Sequence, residues 1–369
     1  MFASHIRVVL LVAAVASATM PAWAEPLEIG QAAPDFRLPG VDGKTWRLAD
    51  FAQADVLVIV FTCNHCPTAQ AYEGRIKQLA ADYKDRKVAL AAVSPNDPLA
   101  VRLDELGYTD LNDSLEEMKL RARDQAFNFP YLYDGEDQKF SRACGAVATP
   151  HALVFDRDRK LRYSGRIDES ERTQKPASPD LRNAIEAVLA GKPVPVERTR
   201  PFGCSVKWAV KRAQAAKSAQ AAANEPVTVS ALDEAGLQEL ARGEGAKLRL
   251  VHVWTLGEKP AAAPALADLA AINQMYRRRG LEPVTISADP PDRRDAVLKA
   301  LQASHVSSRN CILDAAKDKL KTLDGAFDGT LPHTVLIGPD GKVVWRQSGP
   351  LDALAARRAI VGVLGRTYK

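Results

Sequence analysis

The 369-residue chain is 46% hydrophobic and 26% charged, with 22 glycines and 23 prolines. That composition excludes a disordered or collagenous chain and leaves room for two domains, each with its own core. Fifty basic against 45 acidic residues leave a net charge of +5, too small to argue for nucleic-acid binding, and five cysteines are too few for a disulfide-dense scaffold.

Arg7, the apolar run Val8 to Ala18 and the small residues Ala22 and Ala24 predict a secretory leader over residues 1–24. No later stretch approaches ~18 apolar residues, so no stable membrane insertion is expected after cleavage. The expected compartment is disulfide-permissive, with the bacterial periplasm as the best reading. Val56 to Phe61 (VLVIVF) is a β-branched run suited to a strand buried on both faces. A helix follows over Thr68 to Tyr83, and Val88 to Val93 is a second buried strand. Ser114 with Glu117 has the spacing of a capping box before another helix. His151 to Phe155 is a strand, Asp156 to Lys160 a turn, and Ser178, Pro179 and Asp180 read as N-cap, N1 and N2 of a helix stopping at Gly191.

Beyond Gly191 the composition changes. Ser205 to Ala223, rich in Ala, Lys and Gln without an acid, reads as a helical connector whose Lys207, Lys211, Arg212 and Lys217 form a solvated basic face. The α/β rhythm then resumes: a strand at Leu248 to Trp254, a helix from Pro264 to Arg279 closed by Gly280, strands at Pro283 to Ala288 and His333 to Ile337, a turn into Val343 to Trp345, and a final helix. The two blocks look like copies. Pro150, His151 and Lys160 match Pro332, His333 and Lys342, and Phe61 to Pro67 (FTCNHCP) lies over Trp254 to Pro260 (WTLGEKP). The second copy carries Leu256 and Lys259 where the first has Cys63 and Cys66, so only the first is expected to do thiol chemistry.

Cys63 and Cys66 frame a CxxC between a buried strand and a helix start. Two thiols at that spacing close a small disulfide ring, and a helix N-terminus stabilises a thiolate. His65, inside the ring, is expected to lower the pKa of Cys63 further, and Pro67 fits the first helical position, where its missing N–H costs nothing. A zinc site would need a second ligand pair at metal spacing, which the sequence lacks. Redox activity is the leading reading.

Here the sequence resembles a family. Ala33 to Leu48 (APDFRLPGVDGKTWRL) is similar to the hairpin entry of redoxin domains, the thioredoxin-like proteins grouped with the alkyl hydroperoxide reductase and thiol-specific antioxidant (AhpC/TSA) family. Phe61 to Pro67, Phe127 to Tyr133 (FNFPYLY), Thr149-Pro150 and Gly203 to Trp208 (GCSVKW) fit an exported branch of it, so the resemblance spans about Pro26 to Trp208. The second block is only generically thioredoxin-like. The resemblance implies a thioredoxin fold for the first block, and with the internal repeat the expectation is an α/β chain of two thioredoxin-like domains, each a central mixed sheet flanked by helices: residues 25–200 with the CxxC, a connector at 201–226, and a degenerate copy at 227–369.

The resemblance further implies Cys63 as attacking and Cys66 as resolving thiol, and a cis Thr149-Pro150 bond facing them. That bond would leave backbone free to pair with an extended substrate and bring His151 close to the thiols. His151 and His333 each follow an expected cis-proline. The branch usually carries a cysteine two residues before the cis-proline, but this chain has Ala148 there and Cys144 nearby. Cys144 and Cys204 are possible accessory thiols, as a pair or with Cys204 reaching the active site, and Cys311 reads as core. The expected function is an exported thiol–disulfide oxidoreductase. It would act on protein thiols or disulfides with a protein electron donor or acceptor, needing no cofactor beyond the Cys63–Cys66 disulfide and no metal. The second copy, lacking both CxxC thiols, would bind a partner or support the first domain. Two alternatives stand: a copper carrier using two cysteines and a histidine, and a thiol peroxidase, for which the Thr/Ser spacing before a cysteine is missing.

Overall fold

The computed structural model describes residues 27–172, 176–242, 248–257 and 262–368. The expected leader and residues 258–260 of the degenerate loop lie outside them. Among the described residues no helix is long and apolar enough to cross a membrane.

The first unit opens with an antiparallel hairpin, β1 (Arg37–Pro39) and β2 (Thr45–Arg47). There follow β3 (Val56–Phe61), α1 (Pro67–Asp82), β4 (Val88–Ser94), α2 (Leu115–Asp124), β5 (Tyr131–Tyr133), α3 (Lys139–Ala143), β6 (Ala148–Thr149), β7 (His151–Phe155), β8 (Leu161–Gly165) and α4 (Asp180–Leu189). The main sheet runs β5–β4–β3–β7–β8, parallel through β5, β4 and β3 and antiparallel through β7 and β8. β3 lies at its centre with all six side chains out of solvent. Strand alternation explains its sequence: Val56, Val58 and Val60 pack on Tyr72, Ile76 and Leu79 of α1 and Ile185 of α4, while Leu57, Ile59 and Phe61 meet Phe36, Phe51 and Phe140 on the other face.

Two helix starts differ from expectation. The Ser114 hydroxyl accepts from the Glu117 N–H at 3.3 Å, but the Glu117 carboxylate takes the Asn112 N–H instead, because Asn112 Oδ1 already holds the Ser114 N–H at 2.7 Å. Only half of the capping box forms. α4 begins at Asp180, with Pro179 rather than Ser178 in the capping position, since Pro179 sits at a non-helical ψ of 67°.

The connector is shorter than expected. Residues 204–211 are sewn to the first unit: β9 (Cys204–Ser205) pairs with β6, the Lys207 N–H donates to Asn96 Oδ1 at 2.8 Å, and Lys207 Nζ meets Glu105 at 2.7 Å. Only α5 (Arg212–Ala223) is helical connector, and Arg212 pairs with the buried Asp97. The basic face is therefore partly spent on ion pairs, not wholly solvated.

The second unit comprises β10 (Ser230–Leu232), α6 (Glu234–Arg242), β11 (Leu248–Trp254), α7 (Ala263–Tyr276), β12 (Leu281–Ser287), α8 (Arg294–Ala303), β13 (Arg309–Leu313), β14 (His333–Ile337), β15 (Val343–Ser348) and α9 (Ala353–Leu364). Its sheet order is β10–β13–β12–β11–β14–β15. Without the edge strand β10, order and directions repeat those of the first sheet. The repetition extends to detail. Thr149-Pro150 and Leu331-Pro332 are the cis bonds, each directly before the corresponding strand, and each following hairpin shifts register between its fourth and fifth residues. Both units are thioredoxin-like. Cys311 is 1% exposed in the second core, as expected of core filler.

The units meet through residues 101–117. Leu106 packs into the second core beside Leu266 and Leu269. The Arg279 guanidinium stacks 3.6 Å over Tyr108 and donates to the carbonyls of Gly107 and Leu364 at 2.9 and 2.7 Å. Asp110, 2% exposed, accepts from Arg366 at 2.5 Å and Arg358 at 3.3 Å. The Tyr276 hydroxyl donates to the buried Thr109 carbonyl at 2.6 Å. Tyr276→Phe removes that donor and is expected to lower stability by about 1–3 kcal/mol, read as a lower urea midpoint at unchanged slope. An unchanged midpoint would mean that the bond adds nothing to the junction.

Candidate functional site

Cys63 follows β3 by two residues and Cys66 caps α1, with Pro67 at its first position. All five cysteines are free thiols. Cys63 and Cys66 are 2% and 0% exposed. The cis Thr149-Pro150 bond brings Thr149 onto both sulfurs: its hydroxyl lies 3.2 Å from Cys63 Sγ, and its carbonyl accepts from Cys66 Sγ at 3.1 Å.

The helix N-terminus serves Cys66, not Cys63. Cys66 Sγ accepts from the Ala69 N–H at 3.4 Å and from the Cys204 N–H at 3.3 Å. Cys66 is the N-cap itself, whereas Cys63 stands three residues before it, away from the free N–H groups. Burial raises the Cys63 thiol well above its ordinary range, and a hydrogen bond to Cys66 and the Asp113 carboxylate push the same way. For Cys66, burial is outweighed by hydrogen bonds from Cys204 and Cys63, the His65 charge and the Ala69 N–H, so its thiol lies well below that range. The helix-start N–H groups that were expected to favour a thiolate on Cys63 thus lie at Cys66 instead.

His65 takes part through a residue that sequence spacing did not reveal. Asp113, fully buried, accepts from His65 Nδ1 at 2.5 Å, from the Asn64 and His65 backbone N–H groups at 2.8 and 3.1 Å, and from Asn96 Nδ2 at 2.8 Å. The CxxC loop is thus folded around one carboxylate. Asn64 adds a bond from its amide to the Asn112 carbonyl at 2.7 Å. Burial opposes charge on His65, but Asp113 more than offsets it and holds the imidazole above 6.5; Asp113, despite burial, is held below 3.8 by His65, Asn96 and the backbone donors. Cys63 Sγ lies 3.6 Å from His65 Nδ1. Cys63, His65 and Asp113 thus place three buried donor atoms within 4.8 Å of one another, and a cation bound there would have to replace the ion pair.

Three other expected residues part ways. His151 turns from the thiols, with Nε2 3.0 Å from Ser164 Oγ and its ring 6.2 Å from that of Phe61. Burial, then Arg198, pushes its pKa down to about 4. The strand pleat explains this, because β7 sends residue 151 into the hairpin with β8. Its counterpart His333 makes the same kind of contact, to Ser348 Oγ at 3.0 Å. Cys144 is 2% exposed in the core beside Phe36 and Phe140, and burial raises its thiol. Cys204 is not with Cys144; it packs against Cys63 and Cys66. The backbone edge expected to remain free for an extended substrate is occupied as well: Thr149 pairs antiparallel with Cys204 and Ala148 with Ser205.

Asp113→Asn is expected to cost about 3–5 kcal/mol, because it leaves a buried cation without its partner. The sign of the pH dependence follows from the two shifts. His65, raised when folded, contributes fully below 6.5 and loses that contribution as pH climbs through its folded value; Asp113, depressed, contributes above 3.8 and loses it as pH falls. The stability gap between wild type and Asp113→Asn in urea titrations should therefore be widest between those values. A gap independent of pH across neutrality would remove the ion pair as its cause.

Residues 29–164 match the model of the AhpC/TSA family. No curated protein matches the chain. The chain is similar to a hypothetical protein from Sinorhizobium meliloti 1021, at 32% identity over 50% of this chain and 97% of that one, with a TM-score of 0.44. It is also similar to an uncharacterized conserved protein from Geobacillus kaustophilus, at 36% identity over 50% and 94% of the two chains and a TM-score of 0.44. A thiol-disulfide oxidoreductase from Bacteroides fragilis NCTC 9343 aligns at 17% identity over 36% and 89%, with a TM-score of 0.30.

Proposed function

Because the chain belongs, through residues 29–164, to the AhpC/TSA redoxin family, we propose that it is a thiol–disulfide oxidoreductase whose Cys63–Cys66 couple exchanges with protein thiols or disulfides. The carrying observation is the environment of Cys66 Sγ. Two N–H groups and the neighbouring imidazolium support negative charge on that sulfur. In the oxidised couple, a substrate thiolate attacks Cys63 Sγ; the Cys63–Cys66 bond breaks and Cys66 leaves as thiolate. A second substrate thiolate then releases Cys63, or Cys66 returns to resolve the mixed disulfide. A stabilised leaving thiolate speeds the first step and favours the reduced form, hence a more oxidising couple. In the reducing direction, Cys63 passes its proton to Cys66 before attacking.

The proposal extends to place and partners. An exported chain with a cleaved leader would work in the periplasm against protein substrates and a protein electron donor or acceptor, with the disulfide itself as the only redox group. The second unit, with no counterpart of Cys63 or Cys66, holds residues 101–117 and takes no part in exchange. A copper-carrier reading draws on the Cys63, His65 and Asp113 cluster, but the hard carboxylate suits Cu(I) poorly.

Cys66→Ser should trap mixed disulfides on Cys63 when the exported protein is isolated under acid quench, and mass spectrometry should identify the partners. Cys63→Ser should abolish insulin disulfide reduction. A wild-type couple that neither forms Cys63–Cys66 nor reduces insulin would overturn the proposal.

A further inference from the structure

Thr149, before the cis-proline, offers the backbone edge on which an extended substrate would lie against the dithiol. In this chain that edge is filled by its own residues 204 and 205, in antiparallel register, with Thr149 opposite Cys204. The insertion depends on a glycine. Gly203 sits at φ +138°, and a Cβ there would stand 2.1 Å from the Thr149 carbonyl oxygen. With no side chain at 203, the segment closes onto β6 and delivers the next residue to the dithiol. That residue is a cysteine. Its N–H reaches Cys66 Sγ at 3.3 Å, and its side chain packs against Cys63 and Cys66. Cys63 and Cys66 are 2% and 0% exposed, while Cys204 is partly open to solvent.

We infer that Cys204 is a third exchanging thiol, held against the dithiol by its pairing with Thr149, and that a Cys66–Cys204 disulfide alternates with Cys63–Cys66. The inference rests on the dithiol reading above and deepens it. The step balances as an isomerisation. The Cys204 thiolate attacks Cys66 Sγ, the Cys66–Cys204 bond forms, the Cys63–Cys66 bond breaks, and Cys63 leaves as thiolate and takes up the proton that Cys204 lost. One disulfide is present before and after, so no oxidant or reductant is consumed. In the dithiol form Cys204 is held protonated, first by its hydrogen bond with Cys66 and then by burial. Once Cys66 is in a disulfide it carries no charge, and the first cause disappears in the state where Cys204 must attack. The exchange moves the disulfide from two buried sulfurs to one that a partner can reach.

The test uses the full chain carrying Cys63→Ser, oxidised with diamide beside wild type, with free thiols alkylated and peptides mapped by mass spectrometry. The expected result is a Cys66–Cys204 linkage in Cys63→Ser, lost in the Cys63→Ser/Cys204→Ser double variant, with Cys144 and Cys311 alkylated in both. Oxidised wild type should hold mainly Cys63–Cys66 with a Cys66–Cys204 fraction that disappears in Cys204→Ser. If Cys66 and Cys204 are both alkylated in Cys63→Ser while wild type closes Cys63–Cys66 fully, the third-thiol role is overturned and the dithiol reading stands. If wild type closes no disulfide at all, both fall. Zinc retained by the reduced wild type and lost in Cys204→Ser, with no linkage in any variant, would overturn the exchange in favour of a ligand role.

Discussion

The site depends on one buried carboxylate. Asp113 accepts four hydrogen bonds, three of them from the CxxC loop it encloses. A carboxylate with no access to water is tolerable only when its lone pairs are filled and a cation stands beside it, and Asn64, His65 and Asn96 meet both conditions. In doing so they fix the loop, keep His65 charged, and set the electrostatic difference between the two sulfurs. Burial, then Cys66 and the carboxylate, raise the Cys63 thiol; Cys66, farther along and capping the helix, is lowered by its hydrogen bonds and the imidazolium.

That difference runs against the simplest reading of a helix-start motif. A macrodipole argument assigns stabilisation to whichever sulfur is nearest the axis. Here that sulfur belongs to the N-cap residue, and the first cysteine lies off the axis in a carboxylate's field. That arrangement is what the proposed exchange draws on, with Cys63 as the electrophilic sulfur and Cys66 as the group that departs.

Much of the fold was legible in the sequence because it rests on local chemistry. VLVIVF, short and β-branched, suits a strand covered on both faces, and Gly280, at φ 86°, ends its helix where the sequence places it. The duplication was legible through Pro150 and Pro332, and the two sheets repeat each other down to the register shift. What escaped was long-range. Nothing near residue 113 announces a partner 48 residues upstream, and an aspartate before a helix cap reads as ordinary turn chemistry. The same holds for Cys204, whose place against Cys66 depends on the close approach allowed by Gly203. His151 was misplaced for a simpler reason: adjacency to the cis-proline suggested proximity to the sulfurs, while the pleat carries the ring to Ser164.

The segment that docks the second unit is also the segment that ends in Asn112 and Asp113. Arg358 and Arg366 grip Asp110 only three residues from the carboxylate that organises the CxxC loop. The unit without a counterpart of Cys63 or Cys66 thus grips the segment that organises the CxxC loop. Arg358 of α9 and Arg366 beyond it hold one end of a stretch whose other end, Asp113, bonds the CxxC loop.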